Sequence, residues 1–137
     1  MDAATTTKGL QLAAAVNIFG MSLFTVGLTQ PGIPHLYPEV FSKFGIIMIM
    51  VWGLAYLAMA KRFTQAPEII AVFALEKGLY VVTWVLWLAT HIGSVGDIFE
   101  ADPLTGIFFG AYGLIDLSFM VFFAAVWAQH RNAPSPS

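Results

Sequence analysis

Four stretches of this chain, residues 9–29, 44–60, 69–90 and 104–128, are apolar for about the length a helix needs to cross a hydrocarbon core, roughly 20 residues. No other feature constrains the fold so tightly. The stretches are apolar on every side, whereas barrel strands alternate apolar and polar residues over about ten positions, so they read as helices. Composition agrees, with 58% hydrophobic and 10% charged residues and a mean hydropathy of +0.78. Six basic and eight acidic side chains could not clothe a soluble domain of 137 residues, so lipid must face much of the surface. The connections are too short for a separate soluble domain, and helices joined this closely are expected to be antiparallel neighbours. The expected fold is therefore all-α: one integral membrane domain over residues 1–137, a four-helix bundle running up-down-up-down.

The first connection, QPGIPHLYPEVFSK, holds Pro31, Pro34 and Pro38, which prevent helix continuation and argue for an ordered surface loop with Tyr37 and Phe41 at headgroup level. Residues 129–137 end in alternating Pro and Ser and are expected to form a disordered tail. The first span is longer than a signal-peptide core and is expected to be retained. Lys8, Lys61, Arg62 and Arg131 fall on one side of the four spans, and Lys43 falls on the other with Glu39, Asp97, Glu100 and Asp102. The excess of cations beside both termini places them in the cytoplasm and the protein in the inner (cytoplasmic) membrane.

With no cysteine, the chain has no disulfide, thiolate nucleophile, iron–sulfur or zinc-thiolate chemistry. A net charge of −2 without a basic cluster argues against nucleic acid as a partner. No phosphate-binding glycine loop, Ser-His-Asp order or paired-His motif occurs, and His35 and His130 are not placed for haem. The acidic connection with His91, Asp97, Glu100 and Asp102 does not have the spacing of a calcium loop. No cofactor and no metal are expected.

The informative residues are the polar ones at membrane depth, because a charge near a bilayer centre costs about 2.5 to 3.5 kcal/mol on insertion scales. At about 1.5 Å of rise per residue, Asp116 lies near the midplane. Asn17 and Lys77 lie roughly 3 to 4 Å toward the cytoplasm, and Glu76 and Tyr56 about 5 to 6 Å. Groups from all four spans thus share one layer, where helical bundles build ligand sites. Lys77 is roughly 11 Å from the edge of the hydrocarbon, beyond the reach of its stem, and needs a carboxylate. Its neighbour Glu76 points about 100° away around the helix, so Asp116 is the expected partner and Glu76 is left without a cation, available as an acid. A buried ion-pair network that only fixes helix register, or a contact with another subunit, would use the same residues.

Glu76, Tyr80, Trp84, Trp87 and His91 repeat at helical spacing and line one face of the third span. Trp87 and His91 fall where interfacial anchors collect. Trp84 and Trp52 lie deeper, as the wall of a flat pocket or as core packing, and each indole N–H there wants an acceptor. Gly106, Gly110 and Gly113 on the fourth span, and Ala13, Asn17, Gly20, Phe24 and Gly27 on the first, form small-residue faces suited to close packing within the bundle or in a dimer.

The WGLAYL second span, the LEKGLYVVTWVLWL third span and GLIDLSFMVFF in the fourth give the chain a resemblance to small DoxX-like or BphX-like bacterial membrane proteins, which implies the architecture. Glu76, Asp116 and Trp84 are similar in kind to the carboxylates and Trp of the sterol-isomerase and emopamil-binding group. Four-helix multidrug exporters carry a Glu in the first helix, where this chain has Asn17. The expected function is to bind or pass a lipophilic small molecule at a site of Glu76, Lys77, Asp116, Asn17, Tyr56, Tyr80, Trp84 and Trp52. Beside it stand a membrane enzyme doing acid/base chemistry on a lipid or sterol-like substrate, with Glu76 as acid and Asp116 as base, and an accessory subunit of a larger membrane complex. The expected partners are membrane lipid, a lipophilic small molecule, and a second copy or a larger complex.

Overall fold

A computed structural model describes residues 1–132 and is all-α, with no strand among them. The chain opens with α1 (Ala3–Ala15), widens into a π-helical turn (Val16–Gly20) and continues as α2 (Met21–Phe24). Two short helices follow, α3 (Gly32–Leu36) and α4 (Pro38–Phe41), then α5 (Lys43–Met59) and α6 (Pro67–His91). A 3-10 turn (Ile92–Ser94) and α7 (Val95–Ala101) lead into α8 (Pro103–His130). Local chemistry sets the starts. Asp2, Ser42 and Asp102 accept hydrogen bonds from the backbone N–H groups of Thr5, Gly45 and Thr105, while Pro67 and Pro103 occupy first-turn positions that need no donor.

The packing falls into two apolar cores. Leu10, Tyr56, Phe63, Ile70, Phe73, Phe123 and Val126 build one; Met21, Ile33, Phe41, Ile49, Trp87, Phe109 and Tyr112 belong to the other. Read along each of the long helical segments, Asn17, Lys77 and Asp116 fall between residues of the two cores. The most extensive interface joins α6 to α8, and α1 with its π turn lies along α5. One end of the molecule gathers the start of α1, the turn after α5 and the end of α8. There the Thr7 hydroxyl donates to the Ala60 carbonyl at 2.8 Å, the Gln129 amide donates to the Met1 carbonyl at 2.8 Å, and Phe63 meets His130 edge-on. At the opposite end Gln30 and Thr105 both donate to Asp102, tying the first connection to the start of α8.

Four expectations need correction. The first helix ends at Phe24, not Thr29, because the Thr25 hydroxyl donates to the Met21 carbonyl and Val26, Gly27 and Leu28 turn left-handed, with φ of 47°, 64° and 69°. The first connection is largely helical: Pro31 and Pro38 sit at helix starts, where proline is tolerated, so they begin α3 and α4. Phe41 is 1% exposed, wedged among Phe108, Phe109 and Tyr112, and is no interfacial anchor. The tail begins later than expected, since Gln129 and His130 complete α8; residues 133–137 of that segment lie outside the described residues.

Two stretches, residues 67–101 and 103–130, are long and apolar enough to cross a membrane, and only 22% and 28% of their most apolar windows are buried inside the molecule. A core helix of a soluble protein would be mostly covered. Here Leu75, Leu79, Leu86, Leu114 and Val121 stand outward and exposed, so an apolar medium or a partner must face them.

Two predictions follow from this packing. A Cβ at Gly113 would collide with the Trp84 ring, whereas one at Gly110 meets nothing. Gly113→Ala should cost about 1–3 kcal/mol in a detergent melting experiment, and Gly110→Ala should be neutral or gain up to about 1 kcal/mol. The Thr105 hydroxyl holds the Asp102 carboxyl below its ordinary value of 3.8. Since the folded value lies below the unfolded one, the stabilisation is complete above the unfolded value and disappears as pH falls through the folded value. The melting temperature should therefore drop below about pH 4, and Asp102→Asn, still a helix cap, should flatten that drop.

Candidate functional site

The site begins with an anomaly in the first helix. The π turn holds Asn17 buried at 3% exposure against α5, where Gly53 is small enough for close approach: a Cβ there would lie 3.0 Å from the Asn17 Cβ. The Asn17 amide donates to the Ile49 carbonyl at 2.9 Å, which fixes its oxygen as an acceptor facing α6. Lys77 fills that acceptor at 2.9 Å and donates to Asp116 Oδ1 at 2.7 Å. The same ammonium lies 5.5 Å from the Tyr56 ring centroid and 5.9 Å from that of Tyr80. Lys77 is 2% exposed, so its charge is met by one carboxylate, one amide oxygen and two aromatic faces. The pairing of Lys77 with Asp116 across α6 and α8 is the one that helical spacing anticipates.

Glu76 turns the other way. Tyr56 donates its hydroxyl to Oε2, while Oε1 is buried with no hydrogen-bond partner among the described residues. Glu76 makes no salt bridge there, so the two carboxylates have separate settings on either side of Lys77.

Those settings open into different cavities. A crevice of about 70 Å³ lies between the first helical segment and α8, with Lys77 and Asp116 at its polar base and Met21, Phe24, Phe41, Phe108 and Tyr112 among its walls. Ile107 and Ile115, both exposed, form part of its rim. Glu76 instead lines an open groove beside α6 with Glu39, Trp52, Leu79 and Thr83. Tyr80 reaches both.

Of the expected site residues, Asn17, Lys77, Tyr80 and Asp116 meet at the crevice. Glu76 and Trp52 belong to the groove, where Trp52 also packs edge-on against Phe73 at 6.2 Å. Tyr56 is fully buried as the support of Glu76. Trp84 lines neither cavity. Its ring crosses Gly113 and its indole donates to the Phe109 carbonyl at 2.8 Å, so it packs α6 against α8. Trp87 is also interior, 4% exposed between His91 and Phe109, because α7 and the start of α8 cover the level at which an anchor would stand. Phe41, Phe108 and Tyr112 were not anticipated. The last two precede Asp116 by eight and four residues on α8, a spacing that puts them on its face and was available as a signal.

No family model, no curated protein and no solved structure matches this chain. The reading of function therefore rests on geometry and chemistry.

Removing one partner of a buried pair leaves an uncompensated charge at a cost of about 3–5 kcal/mol, whereas replacing both with apolar residues is often neutral. Lys77→Met should lower stability by about that amount in a detergent melt, and Lys77→Met with Asp116→Leu should recover most of it. A loss in the double variant equal to the sum of the Lys77→Met and Asp116→Leu losses would show that the pair carries no coupling.

Proposed function

We propose that this chain is a four-span membrane bundle with both termini on the cytoplasmic side of the inner membrane, and that it takes a lipophilic small molecule into the crevice between its first and last spans. The observation that carries the reading is a charged, hydrogen-bonded pair at the base of an aromatic crevice whose rim is exposed and apolar. A mainly apolar cavity with a few converging polar groups is the usual form of a small-molecule site. Opening among outward-facing apolar side chains, it admits molecules dissolved in the hydrocarbon rather than in water. Four-span topology is supported by the gathering of the start of α1, the turn after α5 and the end of α8 at one end, which is also where Lys8, Lys61, Arg62 and Arg131 cluster in sequence. The likeness to small DoxX-like membrane proteins belongs to the same proposal. Acid/base turnover by Glu76 and Asp116 together would need one substrate to reach both, and they line different cavities.

The test uses Gly20, which lines the crevice and where a Cβ has nothing nearer than Val16 at 3.9 Å. Protein purified in mild detergent and examined by native mass spectrometry should carry a lipophile other than bulk phospholipid. Gly20→Leu should reduce it at least tenfold while keeping the helical spectrum, and Glu76→Gln should leave it unchanged. Equal retention by wild type and Gly20→Leu, or no bound lipophile in wild type, would overturn the reading.

A further inference from the structure

The polar base of the crevice is specific about what it can accept. Lys77 has three N–H donors: two are used on Asp116 Oδ1 and Asn17 Oδ1, and the ammonium otherwise faces the rings of Tyr56 and Tyr80. Asp116 Oδ2 makes no hydrogen bond to any described residue, and the Asp116 side chain is 14% exposed where it lines the crevice. Tyr80 lines the same space, and its hydroxyl, which makes no hydrogen bond to a described residue, can donate or accept. Tyr112, by contrast, is engaged with Thr83 at 3.3 Å.

This inventory sorts ligands by charge. The positive charge of Lys77 is already matched by Asp116 at 2.7 Å, so a second cation would find no free counter-charge in the pair. An anionic headgroup would likewise find the charge of Lys77 already matched, and would set its oxygens against the open oxygen of Asp116. A neutral hydroxyl matches both free groups, because it donates to a carboxylate oxygen and accepts from a phenol. Size and wall add two further limits. At about 70 Å³ the crevice is well below the roughly 300–1,000 Å³ of cavities that enclose a whole drug-sized ligand. Only a headgroup enters, and the remainder lies outside among exposed apolar side chains. The walls include the mutually packed rings of Phe24 and Phe108, with centroids 5.7 Å apart and tilted by 58°, together with Phe41 and Tyr112, so an entering aromatic ring finds edge and face partners there.

We infer that the crevice selects neutral amphiphiles whose one polar group is a hydroxyl on a ring, as in an alkylphenol, with the hydroxyl donating to Asp116 Oδ2 and accepting from Tyr80 and the tail left in the surrounding hydrocarbon. The inference rests on the uptake reading above and names its ligand class.

Equilibrium binding of tritiated 4-dodecylphenol to the purified full chain in detergent micelles tests it, with 4-dodecylanisole, which lacks the donor, and 4-dodecylbenzoate, which is anionic, as competitors. Dodecylphenol should bind saturably, each competitor should be at least tenfold weaker than unlabelled dodecylphenol, and Gly20→Leu should abolish binding. Tyr80→Phe should weaken dodecylphenol several-fold, and Asp116→Asn should weaken it at least tenfold while changing the affinity for dodecylanisole, which has no proton to donate, far less. Should Asp116→Asn fail to fold, the competitor series on wild type and Tyr80→Phe decide alone. Equal competition by the anisole, or no effect of Tyr80→Phe, would overturn the hydroxyl assignment while binding that is still lost in Gly20→Leu leaves uptake standing. A wild-type protein that binds none of the three probes overturns the assignment too, and uptake then stands or falls on the native mass spectrum.

Discussion

The ammonium of Lys77 sets the terms for this fold. A compact charge excluded from water demands acceptors from several directions, and each has been brought to it by a different structural device. Asn17 arrives through a π turn and the close approach at Gly53; Asp116 arrives on α8, which α6 packs against more extensively than any other pair of elements. The two apolar cores lie above and below this layer. Apolar packing alone could slide by a helical turn with little change in buried area. The directional bonds to Lys77 fix one register for α6, α8 and the first helix.

Adjacent positions on α6 thus do unlike work. Residues one apart on a helix differ by about 100° in direction, and Glu76 and Lys77 use that angle to serve different faces of the same helix. On one side a satisfied pair forms the floor of a narrow aromatic crevice. On the other a carboxyl group leans on Tyr56 with one oxygen unpartnered, beside an open groove. Among the described residues Tyr80, one turn further, is the only one that borders both cavities.

The sequence made the long helices readable because hydropathy and helix starts are local properties: α5, α6 and α8 begin within two residues of the apolar runs that announced them. The Lys77–Asp116 pairing was readable for a related reason, since depth follows from position along a helix and direction from the 100° step. What escaped depended on contacts made across the fold. The left-handed turn after Phe24 is set by a Thr25 hydroxyl inside an unbroken apolar run, and hydropathy is blind to it. Phe41 looked interfacial because it sits in a proline-rich connection, yet that connection coils into short helices and delivers the ring to the core. For Trp84 the sequence left pocket wall and core packing both open, and the room that Gly113 leaves for its ring decides for packing. The split of one polar layer into two cavities could not be read at all, because it depends on how far neighbouring helices stand apart.

A bilayer setting gives the α6–α8 pair a bearing on biogenesis. In the proposed membrane arrangement, α6 entering the bilayer by itself would carry the Lys77 ammonium into hydrocarbon before any acceptor on α8 existed, and α8 alone would carry a lone aspartate. The two segments are consecutive, joined by α7, which folds back onto the start of α8. Released laterally as one antiparallel hairpin, with the charges already neutralised against each other, they would meet neither barrier, and the first helical segment and α5 could then close around a preformed half of the molecule.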